Sequence, residues 1–196
     1  MSAPLIGLTG APGAGRATIA AHLCDSRDFR SYSLTDPLRQ VLYSLDPLLS
    51  SQVSLRTLID ESGWAPALAH RIHGPEVTRL LEALRTEVAR DVFTVDLWVR
   101  RLDALVRSDV EVLGAAPVVV TDVATPEEAQ WVLDAGGVIW QVDRPGHPAS
   151  MQLHDRLVGA VIKNDATMLA LTRRVDRALA GIPTLELDDH DNAAAA

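Results

Sequence analysis

The sequence has one lysine and one cysteine, and both scarcities limit what the protein can be. Lys163 is the only lysine among 18 basic residues, so arginine carries nearly all of the positive charge. Cys24 is the only cysteine, which excludes an internal disulfide bond and favours a reducing cytoplasm. It falls on the first predicted helix, where we expect a small, buried apolar residue.

Long apolar runs and net positive charge are missing as well. No apolar stretch reaches the length of about 18 residues that a membrane span needs, and no charged-then-apolar leader precedes the first predicted strand. We therefore expect a soluble, unsecreted protein. The net charge of −8 argues against a nucleic-acid-binding surface, which is normally basic. The 196 residues, 47% of them hydrophobic, predict a single domain spanning 1–196.

A glycine-rich segment near the start of the chain is the strongest signal that is present. Residues 5–23 are LIGLTGAPGAGRATIAAHL, in which an apolar run predicts a buried strand and the end has helical spacing. Strand, glycine loop and helix form the setting of a phosphate-binding loop, whose backbone N–H groups face phosphate oxygens. The alternative is a glycine-rich turn that binds nothing. The candidate phosphate-binding residues are Gly10, Ala11, Gly13, Ala14, Gly15, Arg16, Ala17 and Thr18.

The loop departs from the pattern G-x-x-x-x-G-K-[ST] in two ways. Arg16 stands at the lysine position, and the hydroxyl comes one residue late, at Thr18. Arginine keeps the charge but is planar, forked and larger than an ammonium group. Because lysine is nearly absent from the whole chain, Arg16 is either a tolerated replacement or the mark of a slow or inactive enzyme.

Strands that alternate with helices predict a three-layer α/β/α fold with a mostly parallel sheet. We expect core strands near 5–9, 29–34, 118–122 and 138–142, and an edge strand at 184–187. Helices are expected over much of the region 37–108, with an irregular stretch at 63–74 and a loop or short lid at 144–157. Ligands of such sheets bind beyond the carboxyl ends of the strands. The predicted helix caps are Thr35 or Asp36, Asp96, Thr125, and Asn164 or Asp165, and a short helix is predicted over 54–61.

Asp122 ends the predicted strand 118–122. Apolar residues that end in an acid are typical of a Walker B strand, whose carboxylate helps to hold Mg²⁺ near phosphates. The alternative is a strand-end residue that caps the next helix.

Six segments in chain order resemble those of phage-type deoxynucleoside monophosphate kinases, members of the P-loop nucleoside monophosphate kinase superfamily. The resemblance covers nearly the whole chain. The segments are LIGLTGAPGAGRAT, SLTDPLR, RLLEALRTEVARD with DLWVRR, VVVTDVATPEEAQWVLDAGG, VDRPG and IKNDATMLAL.

This resemblance implies a P-loop kinase fold and a reaction in which ATP, with Mg²⁺, phosphorylates a deoxynucleoside 5′-monophosphate. It implies catalytic roles for Arg16, Asp122 and Arg144, and a metal site at Thr18 and Asp122. The implied acceptor-binding residues are Asp36, Arg39, Arg79, Glu87, Arg90 and Trp98, although Trp98 is also consistent with a core position. The implied location is the cytoplasm, that of the host if a phage encodes the protein, and a homodimer is left open.

The departures from the family pattern keep other functions open. Beside Arg16, they are Arg85 and Ala166, each at a family glycine, and Ala124 at a family arginine. One alternative is another P-loop small-molecule kinase, similar to dephospho-CoA kinase. A second is a kinase that acts on a modified base in DNA, which the acidic charge disfavours. The third is a nucleotide-binding protein with weak or no catalysis.

Overall fold

A computed structural model describes residues 4–88, 94, 96–147 and 153–182 of the protein. The described residues form two compact units. One lies within Met1–Ser31 and Val110–Ala196 and is here called the core unit; the other lies within Tyr32–Asp109 and is called the helical unit.

The core unit is built on a sheet in which five strands are described. Its strand order is β2-β3-β1-β4-β5. Parallel pairing joins β1 to β3 and to β4, and joins β4 to β5. The strands are β1 (Leu5–Gly10), β2 (Arg30–Tyr32), β3 (Val118–Val120), β4 (Val138–Asp143) and β5 (Ala160–Lys163). Because β1 is the central strand, the loop that follows it emerges at the middle of the sheet's carboxyl edge.

Helices account for most of the remaining described structure. In chain order the α-helices are α1 (Arg16–Arg27), α2 (Thr35–Leu45), α3 (Leu55–Ser62), α4 (Trp64–Ala69), α5 (Gly74–Ala83), α6 (Leu97–Leu113), α7 (Pro126–Asp134) and α8 (Met168–Ala180). A π-helix at Leu84–Val88 continues α5, and a short 3₁₀ helix lies at Asp155–Leu157. None of the helices in the described ranges combines the length and apolar character needed to cross a bilayer.

The sheet of the core unit is buried by helices on both faces. Side chains of β1 and β4 form one apolar cluster with α1 and α8, which includes Ile6, Trp140, Ile19 and Leu171. On the other face Gly7 leaves room for α7, since a Cβ there would approach Val132 to 3.3 Å. The predicted three-layer arrangement around a mostly parallel sheet is confirmed.

Several predicted boundaries are wrong. β2 and β3 are shorter than predicted, and after Val120 the chain is held by a bond from the Val123 N–H to the Leu8 carbonyl (3.0 Å). β5 was missed because its four residues carry no strong alternation. The stretch 63–74 is partly helical, since it contains α4 and the start of α5. The predicted strand 184–187 lies outside the described residues.

Two predicted helix caps are also wrong. α2 begins at Thr35 itself, so neither Thr35 nor Asp36 precedes it as a cap. α8 is capped by Thr167, whose hydroxyl accepts from the Ala170 N–H (3.3 Å). Asn164 and Asp165 do not cap α8 because the helix begins only at Met168. Thr125 caps α7 as predicted, whereas Ser54, which was predicted to be the first residue of a helix, caps α3.

The helical unit has an apolar core of its own. Amphipathic spacing places Leu38 and Leu42 of α2 in one cluster with Leu55 of α3 and Val77 of α5. Trp98 of α6 joins the same cluster. The charged residues of these helices are therefore left for their outer faces.

Candidate active site

The loop between β1 and α1 has a backbone that only glycine adopts easily. Gly10, Gly13 and Gly15 have φ values of +134°, +78° and +111°. A Cβ at Gly10 would lie 2.4 Å from the carbonyl oxygen of Val142, so this glycine also allows the loop to approach β4. The backbone geometry of the loop therefore requires these glycines, in addition to any requirement of the proposed phosphate ligand.

The loop leads directly into the exposed backbone of a helix terminus. Gly15 is the N-cap of α1 and offers no side-chain cap, and its carbonyl accepts the Ile19 N–H (3.0 Å). Within the loop, Ala11 and Ala14 are buried, and the Ala14 N–H donates to the Ala11 carbonyl (3.1 Å). A helix start without a side-chain cap concentrates N–H donors and positive dipole, which suits a phosphate group.

Two side chains from other strands donate to carbonyl groups of the loop. Arg144, which directly follows β4, donates from Nη1 to the Gly13 carbonyl (2.9 Å). Asn164, which directly follows β5, donates from Nδ2 to the Ala14 carbonyl (2.8 Å). Arg144 was predicted to lie near the phosphates. The contact of Asn164 was missed, because β5 was not predicted and Asn164 was assigned as a possible helix cap.

Arg16 and Thr18 lie in the first turn of α1, and both are partly buried. Ala17 between them is exposed. The guanidinium and the hydroxyl therefore belong to the turn whose N–H groups begin the helix. This placement agrees with the predicted phosphate-binding role, which stays a prediction.

Asp122 lies two residues beyond β3, in a turn that another acid holds in place. Glu128 of α7 is buried and accepts the N–H groups of Ala124 (2.7 Å) and Thr125 (3.0 Å) through Oε2. Thr125 in return accepts the Glu128 N–H (3.3 Å), which completes a capping box. The turn that carries Asp122 is thus fixed at the carboxyl edge of the sheet.

The residues at this edge offer few protein ligands to a metal ion. In the described ranges, no three side chains of His, Cys, Asp or Glu group as a metal site. Thr18 and Asp122 supply one hydroxyl and one carboxylate. This donor set fits Mg²⁺, which keeps several waters and takes its remaining oxygen ligands from substrate phosphates.

In the helical unit, Asp36 and Arg39 of α2 meet an aromatic residue of α4. Arg39 Nη1 donates to Asp36 Oδ1 (3.1 Å), and the guanidinium carbon lies 5.7 Å from the ring centroid of Trp64. These side chains line a cavity of about 370 Å³ with Gln40 and Tyr43. Trp64 was not predicted for this site, because only the fold brings α4 beside α2.

The other predicted acceptor-binding residues that the structure describes do not line this cavity. Arg79 is 63% exposed and forms a bidentate ion pair with Glu76. Its Nε lies 2.8 Å from Glu76 Oε2, and its Nη2 lies 2.7 Å from Oε1. Hydrogen bonding to Arg79 lowers the pKa of Glu76 and raises that of Arg79. Glu87 is exposed on the π-helix, and Arg90 lies outside the described residues.

Trp98 is held as part of the helical unit's core. Its side chain is 8% exposed, and its indole N–H donates to the Leu84 carbonyl in the π-helix (3.1 Å). It also lines an apolar cavity of about 570 Å³ together with Val41 and Leu45. Any stacking of a base on this ring would use the part that faces the cavity.

Fold and loop together define a three-layer α/β/α protein with a glycine-rich loop between its central strand and the following helix. The crystal structure of TT1252 from Thermus thermophilus is similar, with a TM-score of 0.50 and 20% identity; the match covers 94% of this chain and 100% of that one. A dephospho-CoA kinase from Campylobacter jejuni matches with a TM-score of 0.48 and 11% identity, over 90% of this chain and 95% of that one.

In sequence, the chain is similar to an Acanthamoeba polyphaga mimivirus protein named "Putative deoxynucleotide monophosphate kinase". The two are 28% identical over 180 residues, which cover 84% of this chain and 90% of the relative. No protein-family model matches the chain. The resemblance to deoxynucleoside monophosphate kinases predicted from the six segments is confirmed.

Proposed function

We propose that the protein is a kinase that transfers the γ-phosphoryl group of ATP to the 5′-phosphate of a deoxynucleoside monophosphate. The observation that carries the proposal is the glycine loop with three positive φ values at the uncapped start of α1. The similarity to the mimiviral protein supports the choice of acceptor.

The reaction exchanges one phosphorus–oxygen bond for another. An oxygen of the acceptor's 5′-phosphate forms a bond to the γ-phosphorus of ATP, and the bond from that phosphorus to the β–γ bridging oxygen breaks. ADP leaves, and a deoxynucleoside diphosphate is formed. Such transfer depends on positioning and charge neutralisation more than on covalent participation of the protein.

On the donor side, the loop N–H groups and Arg16 would bind the phosphates of ATP. Thr18 and Asp122 would hold Mg²⁺, which supplies positive charge to the β- and γ-phosphate oxygens when it is bound. Arg144 is bonded to the loop at Gly13, and we propose that its remaining guanidinium N–H groups stabilise charge on the transferring group.

On the acceptor side, we propose that Arg39 binds the monophosphate and that Asp36 orients its guanidinium. A planar guanidinium can donate two parallel hydrogen bonds to a phosphate. Arg79, Glu87, Arg90 and Trp98 remain candidates for further contacts with the acceptor. Arg79 would have to leave its ion pair with Glu76 to bind a phosphate, because that pair occupies two of its donors.

A second candidate function is nucleotide binding with weak or absent catalysis. Arg16 in place of lysine is the observation that favours it, since a guanidinium does not occupy the position of a compact ammonium group.

The deciding experiment measures ADP release in a coupled assay with ATP, Mg²⁺ and each of the deoxynucleoside monophosphates. Turnover with at least one of them is the expected result. Turnover only with dephospho-CoA, or only with DNA that contains a modified base, would replace the proposed acceptor. Binding of ATP by calorimetry without turnover of any acceptor would establish the second candidate instead.

A further inference from the structure

Asn164, the first residue beyond β5, bonds directly to the phosphate-binding loop. Asn164 is partly buried, and its backbone N–H donates to the Asp143 carbonyl at the end of β4 (2.7 Å). Its side-chain Nδ2 donates to the Ala14 carbonyl (2.8 Å). The residue therefore links the ends of two strands to the loop that follows a third.

The two chain neighbours of Asn164, at the end of β5, are both bonded to one arginine. Arg174 of α8 donates to the carbonyl of Lys163 and forms an ion pair with Asp165 (2.6 Å). Hydrogen bonding from Arg174 lowers the pKa of Asp165. Asn164 thus acts from a fixed backbone, which makes its short side chain a suitable brace for another segment.

The bond to Ala14 has a consequence for the next peptide N–H group. In a planar trans peptide the carbonyl and the N–H point in opposite directions. When Asn164 holds the Ala14 carbonyl on its side of the loop, the N–H of Gly15 must point to the other side. The orientation of one donor at the start of α1 is therefore set by an amide 150 positions away in sequence.

Because Gly15 has no side chain, it leaves room for the same Asn164 amide. A Cβ built on Gly15 would lie 2.5 Å from Asn164 Nδ2 and 3.5 Å from Cγ. Real side chains do not make such a contact, so the amide occupies the space that a side chain at Gly15 would need. The last glycine of the loop is explained by a protein group as well as by its φ of +111°.

We propose that Asn164 is a positioning residue for the donor nucleotide, and that Gly15 is required in part because it makes room for the Asn164 amide. This inference rests on the proposed nucleotide-binding function. It assigns a role outside the loop itself, to a residue that need not touch the nucleotide.

The test compares Asn164→Ala with Asp165→Ala, two truncations at adjacent positions. Asp165→Ala removes the ion pair with Arg174 but leaves Arg174 bonded to the Lys163 carbonyl, so the end of β5 stays held; only the Asn164 side chain bonds to the loop. We expect Asn164→Ala to raise the Kd for ATP with Mg²⁺ about tenfold in calorimetry. We expect Asp165→Ala to bind ATP like the parent, and hydrogen exchange of the loop amides to be faster in Asn164→Ala only.

A double-mutant cycle tests the match between Gly15 and Asn164. Gly15→Ala should weaken ATP binding strongly in the parent and by a smaller factor in Asn164→Ala, because the amide that it would strike is gone. Some loss should persist in both backgrounds, since the positive φ is strained for alanine.

The outcomes separate this inference from the proposed function. If the parent does not bind ATP, the proposed function and this inference both fail. If the parent binds ATP and Asn164→Ala binds it equally well, only this inference fails. Equal losses in Asn164→Ala and Asp165→Ala would reduce Asn164 to a structural residue, and an additive cycle would refute its match to Gly15.

Discussion

The phosphate-binding loop and the helical unit hold their polar groups in opposite ways. In the loop, two side chains that directly follow other strands donate to backbone carbonyls. The groups that remain for a ligand are N–H donors of the main chain. In the helical unit, the candidate groups are charged side chains paired with neighbours on their own helix, as Arg39 is with Asp36 and Arg79 with Glu76.

This difference bears on how each site would bind a phosphate in the proposed reaction. The loop is set before a ligand arrives, because glycine conformations and distant hydrogen bonds leave its backbone little freedom. The arginines of the helical unit must exchange or share carboxylate partners when they bind an anion, and ion pairs near the surface hold their partners only weakly. We therefore expect substitutions in the loop to have larger effects than those in the helical unit.

Gly15→Val should have the largest effect. The branched side chain would collide with Asn164, and the loop would require valine to adopt a positive φ. We therefore expect calorimetry to show no ATP binding. Gly114→Val is the matched control, because Gly114 has a φ of +80° but no atom within 4 Å of a built Cβ. Unchanged ATP affinity in Gly15→Val would remove the loop from the site.

Arg16→Ala should lose most of the turnover, because the candidate phosphate-binding residues 10–18 would then contain no cation. Arg16→Lys should keep or raise it, since a lysine restores the common pattern of this loop. Turnover is measured at saturating ATP. Parent-like turnover of Arg16→Ala would show that another cation serves the phosphates.

Asp122→Asn tests the metal-binding part of the proposal. We expect turnover to fall at least tenfold, which corresponds to roughly 1.4 kcal/mol of transition-state stabilisation. Without Mg²⁺ the ATP affinity should stay constant or rise, because a repulsive negative charge has been removed. Full Mg²⁺-dependent activity in this variant would limit Asp122 to a structural role in its turn.

Arg39→Ala tests the helical unit, with Arg79→Ala as its counterpart. Loss of a charge-assisted hydrogen bond to the acceptor should raise its KM about tenfold in Arg39→Ala and leave the KM for ATP unchanged. Arg79→Ala should have a smaller effect, since Arg79 is already held at both prongs by Glu76. The reverse order would place the acceptor phosphate at Arg79.

Asp176→Asn should have the smallest effect and should change stability, not binding. A hydrogen bond with His22, and a second from Arg27, lower the pKa of Asp176. The stability from this carboxylate is present above its unfolded pKa and is lost as pH falls through the lowered folded pKa. Urea unfolding between about pH 5 and pH 2 should therefore be less steeply pH-dependent in Asp176→Asn. An identical pH dependence would contradict the expectation.

Local sequence patterns predicted the structure correctly wherever a few neighbouring residues determine it. The apolar run of β1, the glycine spacing and the start of α1 follow from steric preferences within about ten residues. The capping box at Thr125 is similarly local, because both of its bonds join Thr125 and Glu128. These features also predicted the class of ligand, since a helix start without a side-chain cap after a glycine loop suits phosphate.

Such local patterns do not predict contacts between segments that are distant in sequence. The sequence shows a polar residue at 164 and an arginine at 39, but their partners at Ala14 and Trp64 depend on which strands and helices become neighbours. The sequence by itself determined the loop with its adjoining strand and helix, and it predicts that the loop binds phosphate. Only the tertiary structure decided which side chains fix the loop's carbonyls, because a hydrogen bond forms wherever folding brings a donor within about 3 Å of an acceptor, whatever their separation along the chain.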